Sequence, residues 1–167
     1  MIVPASIEER VLKGELPARH ALRLALEKAR AVQKKLGRED AFVLAADTVV
    51  ACGRRILPKA ASDDEVRAAL AILSGRRHRV ITAVALARPG AKPAFRSVET
   101  RVGFRRLSRS EIDSYLASGE GVGKAGGYAI QGRAEIFVKF INGSYSNVVG
   151  LPLAETVILL RGSGFPC

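Results

Sequence analysis

The sequence has no tryptophan, and aromatic residues make up only 5% of its 167 residues. Because proteins hold single-stranded nucleic acid by stacking bases on aromatic rings, a platform of that kind is not expected. No apolar run reaches the ~20 residues that a membrane-spanning helix requires. The first residues, Met1–Arg10, lack the basic and then apolar order of a secretory signal. We therefore expect a cytoplasmic protein with neither a membrane nor a nucleic acid as its partner.

Cysteine is also scarce. The two cysteines, Cys52 and Cys167, do not form a Cys-x-x-Cys pair, and the two histidines lack the spacing of metal ligands. This pattern excludes a zinc site and indicates two ordinary thiols in a reducing compartment.

Acidic residues are outnumbered, with 16 Asp and Glu against 27 Lys and Arg and a net charge of +11. Such an excess is compatible with a polyanionic partner, either a nucleic acid or a phosphorylated small molecule. It is also compatible with a solvated surface, which is the more common explanation of scattered charge. The basic residues are dispersed along the chain, without a block of five or more like charges. A nucleic-acid binder, which would show strongly salt-dependent retention on DNA or RNA, is the weakest of these alternatives.

What the sequence does contain is an alternation of helix and strand patterns over a length, residues 1–167, that fits one domain. Two of the helices begin at capping boxes, Ser62–Glu65 and Ser108–Glu111. From apolar periodicity and turn residues we predict helices over 18–36, 62–74, 108–118 and 153–160. Strands are predicted over 41–46, 49–52, 79–87, 95–107 and 135–141. The alternation predicts an α/β domain.

Asp47 is the polar position that this pattern makes most informative. It follows the apolar strand 41–46, so its carboxylate is expected at a strand's carboxyl end, where open α/β sheets bind ligands. Thr48 adds a hydroxyl, and Lys59 lies twelve positions after Asp47 in a proline-containing loop. A carboxylate that activates water or holds a divalent ion, beside cations that neutralise phosphate oxygens, suits phosphoryl chemistry. A turn cap at Asp47 and a solvated Lys59 are the ordinary alternatives.

The segment 121–132 is rich in glycine and carries Lys124 and Gln131. Glycine lets a backbone approach a ligand closely, and a glutamine side chain can form paired hydrogen bonds to a base edge. The segment is neither a Walker P-loop, which ends in Gly-Lys-Ser/Thr, nor a Gly-x-Gly-x-x-Gly turn that opens a helix. On its own it indicates nucleotide binding only weakly.

Taken together, segments in five places along the chain resemble the Maf family of nucleotide pyrophosphatases. They are Leu26–Ala29, Ala45–Val50, Leu73–Arg76 with His78 and Thr82, Lys124–Gly132, and Gly143–Leu153. The resemblance implies an α/β fold related to the inosine triphosphatases, with a mixed sheet, flanking helices and two lobes around a central cleft, in a homodimer. It also implies hydrolysis of a nucleoside triphosphate between its α- and β-phosphates with Mg²⁺ or Mn²⁺, releasing pyrophosphate.

The same resemblance implies roles for individual residues. Asp47 falls on the position of the proton acceptor, and Asp47 and Glu9 are expected to hold the metal. Thr48 and Gln131 fall on the two positions tied to substrate choice. The remaining polar positions of the family's cleft correspond here to Glu9, Lys28, Lys59 and Lys124.

The sequences of Tyr128–Gly132 and Gly143–Asn147 resemble those of the branch of the family that acts on dTTP and UTP. We therefore expect pyrimidine triphosphates as substrates, with modified pyrimidine nucleotides in addition. Family members begin with a strand and a loop reading approximately Leu-Ala-Ser-x-Ser-Pro-Arg-Arg, which is missing here and is expected to supply a hydroxyl and an arginine to the phosphates. The alternative is therefore a nucleotide-binding or regulatory protein with weak or lost catalysis.

Overall fold

The computed structural model describes residues 1–37 and 41–166. Its centre is a five-stranded sheet with helices on both faces. The strands are β1 (Val43–Cys52), β2 (Arg55–Leu57), β3 (Arg77–Arg88), β4 (Ala91–Phe104) and β5 (Val138–Asn142). The helices are α1 (Pro17–Leu36), α2 (Asp63–Leu73), α3 (Arg109–Leu116), α4 (Tyr145–Val149) and α5 (Leu153–Gly162), with a 3₁₀ turn at Arg133–Phe137. The predicted combination of a sheet and flanking helices is confirmed.

The pairing of the strands differs from the prediction. The strand order is β2-β1-β3-β4-β5, and every adjacent pair of these described strands is antiparallel, whereas a mixed sheet was expected. One reason is that β1–β2 and β3–β4 are hairpins, whose turns contain Gly53 and Gly90 at φ 59° and 60°. Connections as short as these join only antiparallel neighbours.

Strand β1 is longer than predicted and runs without interruption through Asp47. The prediction that Asp47 follows the end of a strand is wrong, because Asp47 pairs with Ala83 in the middle of β1. β3 borders one edge of β1, and β2 pairs with only Val50–Cys52 on the other edge. Within residues 1–37 and 41–166, the outer edge of β1 from 43 to 49 therefore has no strand partner. We call this segment the bare edge of β1.

The two faces of the sheet are covered by different helices. Helix α1 packs its small side chains, among them Ala25 and Ala29, against odd-numbered residues of β3 such as Ala83. Helix α5 packs Leu159 against Val84, an even-numbered residue, on the opposite face. No helix in the described parts of the chain has the length and apolar character needed to cross a membrane.

Candidate active site

A cleft of about 250 Å³ opens beside the bare edge of β1. Six of the seven residues predicted for the site line it, namely Lys28, Asp47, Thr48, Lys59, Lys124 and Gln131. The seventh, Glu9, lies in an adjoining cavity that Asp47, Thr48 and Lys59 also line. The fold therefore gathers all seven residues from α1, β1, the loop after β2, the N-terminal segment and the glycine-rich segment.

Asp47 and Thr48 reach this cleft from opposite faces of the sheet, because neighbouring residues of a strand point in opposite directions. Asp47 points toward α1, where it meets Lys28. Thr48 points toward the face that α4 covers, where it meets Thr82. The cleft contacts both side chains since no strand covers the edge of β1 between the two faces in the described structure.

Asp47 is 5% exposed, and its Oδ1 accepts a hydrogen bond from Lys28 Nζ at 2.6 Å. Burial raises the pKa of the Asp47 carboxyl because the charged form loses its solvation. The hydrogen bond and the charge of Lys28 lower this pKa, but burial outweighs them. A carboxylate with a raised pKa is a stronger base than one at the surface, as proton abstraction from water requires.

Asp47, Lys28, Glu9 and Lys59 form a chain of alternating charges. Lys28 Nζ lies 2.6 Å from Glu9 Oε1, and Lys59 Nζ lies 2.6 Å from Glu9 Oε2. Burial raises the pKa of Glu9, yet the hydrogen bonds and charges of the two lysines outweigh it and lower the pKa. Burial lowers the pKa of Lys28, and its two carboxylate partners outweigh that effect in turn. Glu9 and Lys28 therefore remain charged at neutral pH.

The donor atoms of this chain decide what kind of metal site it can form. The carboxylates of Asp47 and Glu9, the two predicted ligands, both contact the ammonium group of Lys28 and so face one cationic position. Mg²⁺ typically binds one or two carboxylates and completes its shell with substrate phosphates and water. No group of three or more His, Cys, Asp and Glu residues that could hold a metal occurs in the described part of the chain. The donors thus fit an ion shared with a substrate.

The glycine-rich segment is held against the loop that carries Lys59 by its backbone. Ala60 N donates a hydrogen bond to Lys124 O at 3.2 Å. Gly126 lies at φ +70°, and a Cβ added there would come within 2.8 Å of Val50 Cγ1. Only glycine permits both this backbone conformation and this approach. The side chains of Lys124 and Gln131 are exposed at the cleft, and neither donates nor accepts a hydrogen bond among the residues described.

A buried hydrogen-bond relay behind Thr48 was not predicted from the sequence. Thr48 Oγ1 lies 2.9 Å from Thr82 Oγ1, which donates a hydrogen bond to the backbone carbonyl of Asn147 at 3.0 Å. Asn147 Nδ2 in turn donates to Thr100 Oγ1 at 2.9 Å. The sequence signal for this relay is modest: Thr82 places one hydroxyl within the otherwise apolar stretch 80–87 of β3.

Comparison with known proteins identifies the family. The Maf-like protein model matches residues 1–163. The dTTP/UTP pyrophosphatase of Caulobacter vibrioides is 57% identical over 162 residues, which cover 97% of this chain and 83% of that protein. That of Maricaulis maris is 58% identical over 165 residues, covering 99% of this chain and 78% of that protein. That of Paramagnetospirillum magneticum is 56% identical over 165 residues, covering 99% of this chain and 86% of that protein. On a family match of this extent, the chain belongs to the Maf-like proteins.

Proposed function

We propose that this protein hydrolyses dTTP and UTP to the nucleoside monophosphate and pyrophosphate. The observation that carries the proposal is the buried Asp47 carboxylate, bonded to Lys28 at a cleft that Thr48 and Gln131 also line. The three relatives named above are dTTP/UTP pyrophosphatases, which supports this choice of substrates. Modified pyrimidine nucleotides belong to the same proposed range.

In the proposed reaction, Asp47 accepts a proton from the water molecule that attacks the α-phosphorus. A new bond forms between that oxygen and phosphorus, the bond from phosphorus to the oxygen bridging the α- and β-phosphates breaks, and pyrophosphate leaves. The raised pKa of Asp47 favours the proton transfer. The 2.6 Å hydrogen bond from Lys28 keeps the carboxylate in one orientation.

The triphosphate requires positive charge on the same side of the cleft. Lys59 and Lys124 are exposed cations at its wall and are the proposed phosphate ligands. Asp47 and Glu9 are the residues that would hold Mg²⁺ or Mn²⁺, and a bound divalent ion would neutralise charge on the phosphate oxygens. Thr48 and Gln131, which carry no charge, are the proposed contacts of the base.

The proposal extends to the architecture around the substrate. One lobe contains α1 and the N-terminal segment with Glu9, and the other contains the glycine-rich segment with Gln131, so the nucleotide lies between them. The family resemblance further implies a homodimer in the cytoplasm. Light scattering coupled to size-exclusion chromatography tests the homodimer, which should have twice the 17.8 kDa mass of the chain.

The test of the reaction is pyrophosphate release from dTTP and UTP with Mg²⁺ or Mn²⁺. Asp47→Asn should lower kcat by ~10²-fold or more, because the base is lost while the side chain keeps its size. Asp113→Asn is the matched control, since it removes a carboxylate of α3 that pairs with Arg67 of α2, outside the cleft. Retained turnover in Asp47→Asn would contradict the assigned role. Nucleotide binding by the wild type without product would instead support the alternative of a binding or regulatory protein.

A further inference from the structure

We propose that the relay through Thr82 and Asn147 fixes the direction of the Thr48 hydroxyl, so that Thr48 faces the cleft only as a hydrogen-bond acceptor. An acceptor at this position selects a base that carries a proton on its ring nitrogen. Among pyrimidines these are uracil and thymine, whose N3 is protonated, and not cytosine, whose N3 carries a lone pair. The inference rests on the proposed function and names the element of the site that distinguishes its substrates.

The argument begins with the number of protons in the relay. A threonine hydroxyl carries one proton and can donate one hydrogen bond. The proton of Thr82 is directed to the backbone carbonyl of Asn147 at 3.0 Å, and a carbonyl can only accept. In its 2.9 Å contact with Thr48, Thr82 is therefore the acceptor. Thr48 must be the donor, and it has no second proton to offer a ligand.

The surroundings of the relay keep this arrangement in place. Thr82 and Asn147 are both 0% exposed, so water does not compete for their hydrogen bonds. The side-chain amide of Asn147 donates to the carbonyl of Val80 at 3.1 Å and to Thr100 Oγ1 at 2.9 Å. Reversing the Thr82 hydroxyl would leave a buried carbonyl with one partner fewer, which is unfavourable. Asn147 is thus a positioning residue for Thr82, and Thr82 for Thr48.

Thr48 presents the end of the relay to the ligand. Its half-buried side chain lines the cleft together with Gln131. After donating to Thr82, its oxygen offers only lone pairs, which attract a ring N–H and repel the lone pair of a cytosine N3. The Gln131 amide has both donor and acceptor atoms for the groups beside that ring nitrogen. Guanine also carries a ring N–H, so the relay separates uracil and thymine from cytosine and does not by itself exclude guanine.

The experiment compares substrates that differ at N3. Values of kcat/KM are measured for UTP, CTP and N3-methyl-UTP, in which a methyl group replaces the N3 proton. In parallel, calorimetry measures binding of the α,β-methylene analogues of UTP and CTP, which resist hydrolysis. The wild type should prefer UTP to both other substrates by about tenfold or more, because either replacement leaves Thr48 without its donor. The binding preference between the analogues should have the same direction.

Variants of the relay test its part in this preference. Thr82→Val removes the acceptor of the Thr48 proton at nearly constant volume, so Thr48 becomes free to donate into the cleft. The preference for UTP over CTP should then fall by about tenfold. Thr82→Ser keeps the hydroxyl and should therefore keep the wild-type preference for UTP over CTP. Thr156→Val is the matched control, because the hydroxyl of this buried threonine of α5 donates to Pro152 O at 2.7 Å and does not line the cleft. The preference should not change.

The outcomes separate this inference from the proposed reaction. Equal use of UTP and N3-methyl-UTP by the wild type would overturn it, as would a folded Thr82→Val variant with the full preference for UTP. If Thr82→Val does not fold, the N3-methyl comparison decides alone. Preferential binding of the UTP analogue without pyrophosphate release would uphold the relay and refute the hydrolysis. Release of pyrophosphate from UTP and CTP with equal kcat/KM would support the hydrolysis and refute the role of the relay.

Discussion

Burial and an ion pair act in opposite directions on one carboxyl group, that of Asp47. Burial raises its pKa, and the Lys28 hydrogen bond and charge restrain the rise. Lys28 thereby has two effects: it orients the carboxylate, and it keeps a larger share of Asp47 ionised at a given pH. A general base acts only in its ionised form. Lys28 therefore sets the lower end of the pH range in which Asp47 can work.

This balance predicts the pH dependence of hydrolysis. Activity should fall as the pH falls through the pKa of Asp47, which lies above the usual 3.8. Lys28→Met removes the group that lowers this pKa, so the acidic limb of kcat/KM should move to higher pH. The measurement is the pH profile of kcat/KM for dTTP in both proteins, with the midpoint of the limb compared and not the absolute rate.

Lys35→Met is the control for that profile. Lys35 is an exposed residue in the last turn of α1, about two turns beyond Lys28, and its loss removes the same charge from the same helix. It should leave the acidic limb in place. Equal shifts in both variants would mean that the limb reports net charge and not the contact between Lys28 and Asp47.

How far the site can be predicted depends on whether a residue's partner is local. The resemblance to the Maf family, which rests on the order of its motifs, was enough to name the seven residues that the fold gathers around the cleft, and their roles stay predictions. The relay could not be named. It requires that Thr48 lie opposite Thr82, a strand register that joins positions 34 residues apart. Single-sequence patterns contain no information about that register.

At the scale of elements, the segment that precedes α1 has no regular secondary structure but carries Glu9 into the site. Glu15 fastens it to the helix. Its carboxylate accepts hydrogen bonds from Arg23 Nε at 2.7 Å and from Leu12 N at 3.0 Å, and it lies 2.8 Å from His20 Nδ1. Arg23 also donates to a backbone carbonyl of the segment, that of Arg10, at 2.9 Å. The Glu15–Arg23 pair thus fixes the residues that follow Glu9.

Glu15→Gln should weaken both the fold and the site. The Arg23 hydrogen bond lowers the pKa of Glu15 from 4.5 to about 2 against the opposing effect of burial. Since its folded-state pKa is depressed, the stability that Glu15 contributes is complete above pH 4.5 and is lost as the pH falls toward 2. Urea unfolding should therefore show the difference between wild type and variant at pH 7 and a shrinking difference across that interval.

The same substitution should raise the KM for dTTP several-fold, because Glu9 loses its fixed position between Lys28 and Lys59. Glu8→Gln is the control, as Glu8 is exposed and, among the residues described, pairs with the exposed Arg10 at 3.5 Å. It should change neither the unfolding curve nor the KM. A difference in the free energy of unfolding between Glu15→Gln and wild type that does not change with pH would contradict the role of the Glu15 charge.

The helix ends were predictable because their signals are local. Ser108 and Glu111 form the predicted capping box of α3, and Gly37 ends α1 in the left-handed conformation. The strands were less predictable. Residues 133–137 form a 3₁₀ turn where the strand 135–141 was expected to begin, and Arg105 N donates to Phe137 O there at 2.9 Å. A contact from 32 positions away is not visible in a local pattern.

At the scale of the whole molecule, the fold concentrates charge that the sequence disperses. The pairs Arg76–Arg77 and Arg105–Arg106 line one concavity together with Lys139. They meet because the start of β3 pairs with the end of β4, where Arg77 lies opposite Gly103. The absence of a nucleic-acid partner stays a prediction. The cleft likewise brings together residues that are far apart in the sequence, since residues from both halves of the chain line it, Lys28 and Gln131 among them.

A ligand that contacts both halves should stabilise the entire fold. At a concentration 100 times its Kd, dTTP should add about 2.7 kcal/mol to the free energy of unfolding. For a chain of this size, that corresponds to a rise in Tm of about 5–10 °C. The measurement is calorimetry with Mg²⁺ on Asp47→Asn, in which dTTP should be hydrolysed ~10²-fold or more slowly than by the wild type. At the same concentration dTMP should raise the Tm less, because it has no β- or γ-phosphate for Lys59 and Lys124. Equal shifts would contradict the proposed phosphate contacts.

The positions of Asp47 and Thr48 on opposite faces of β1 have an evolutionary consequence. A substitution at Thr82, on the face that α4 covers, changes a hydrogen bond of Thr48 but not the hydrogen bond between Lys28 and Asp47 beside α1. Descendants of such a protein can acquire a new nucleobase preference while they retain the residues that cleave the phosphoanhydride bond. One strand thus lets selectivity diverge while the chemistry is inherited.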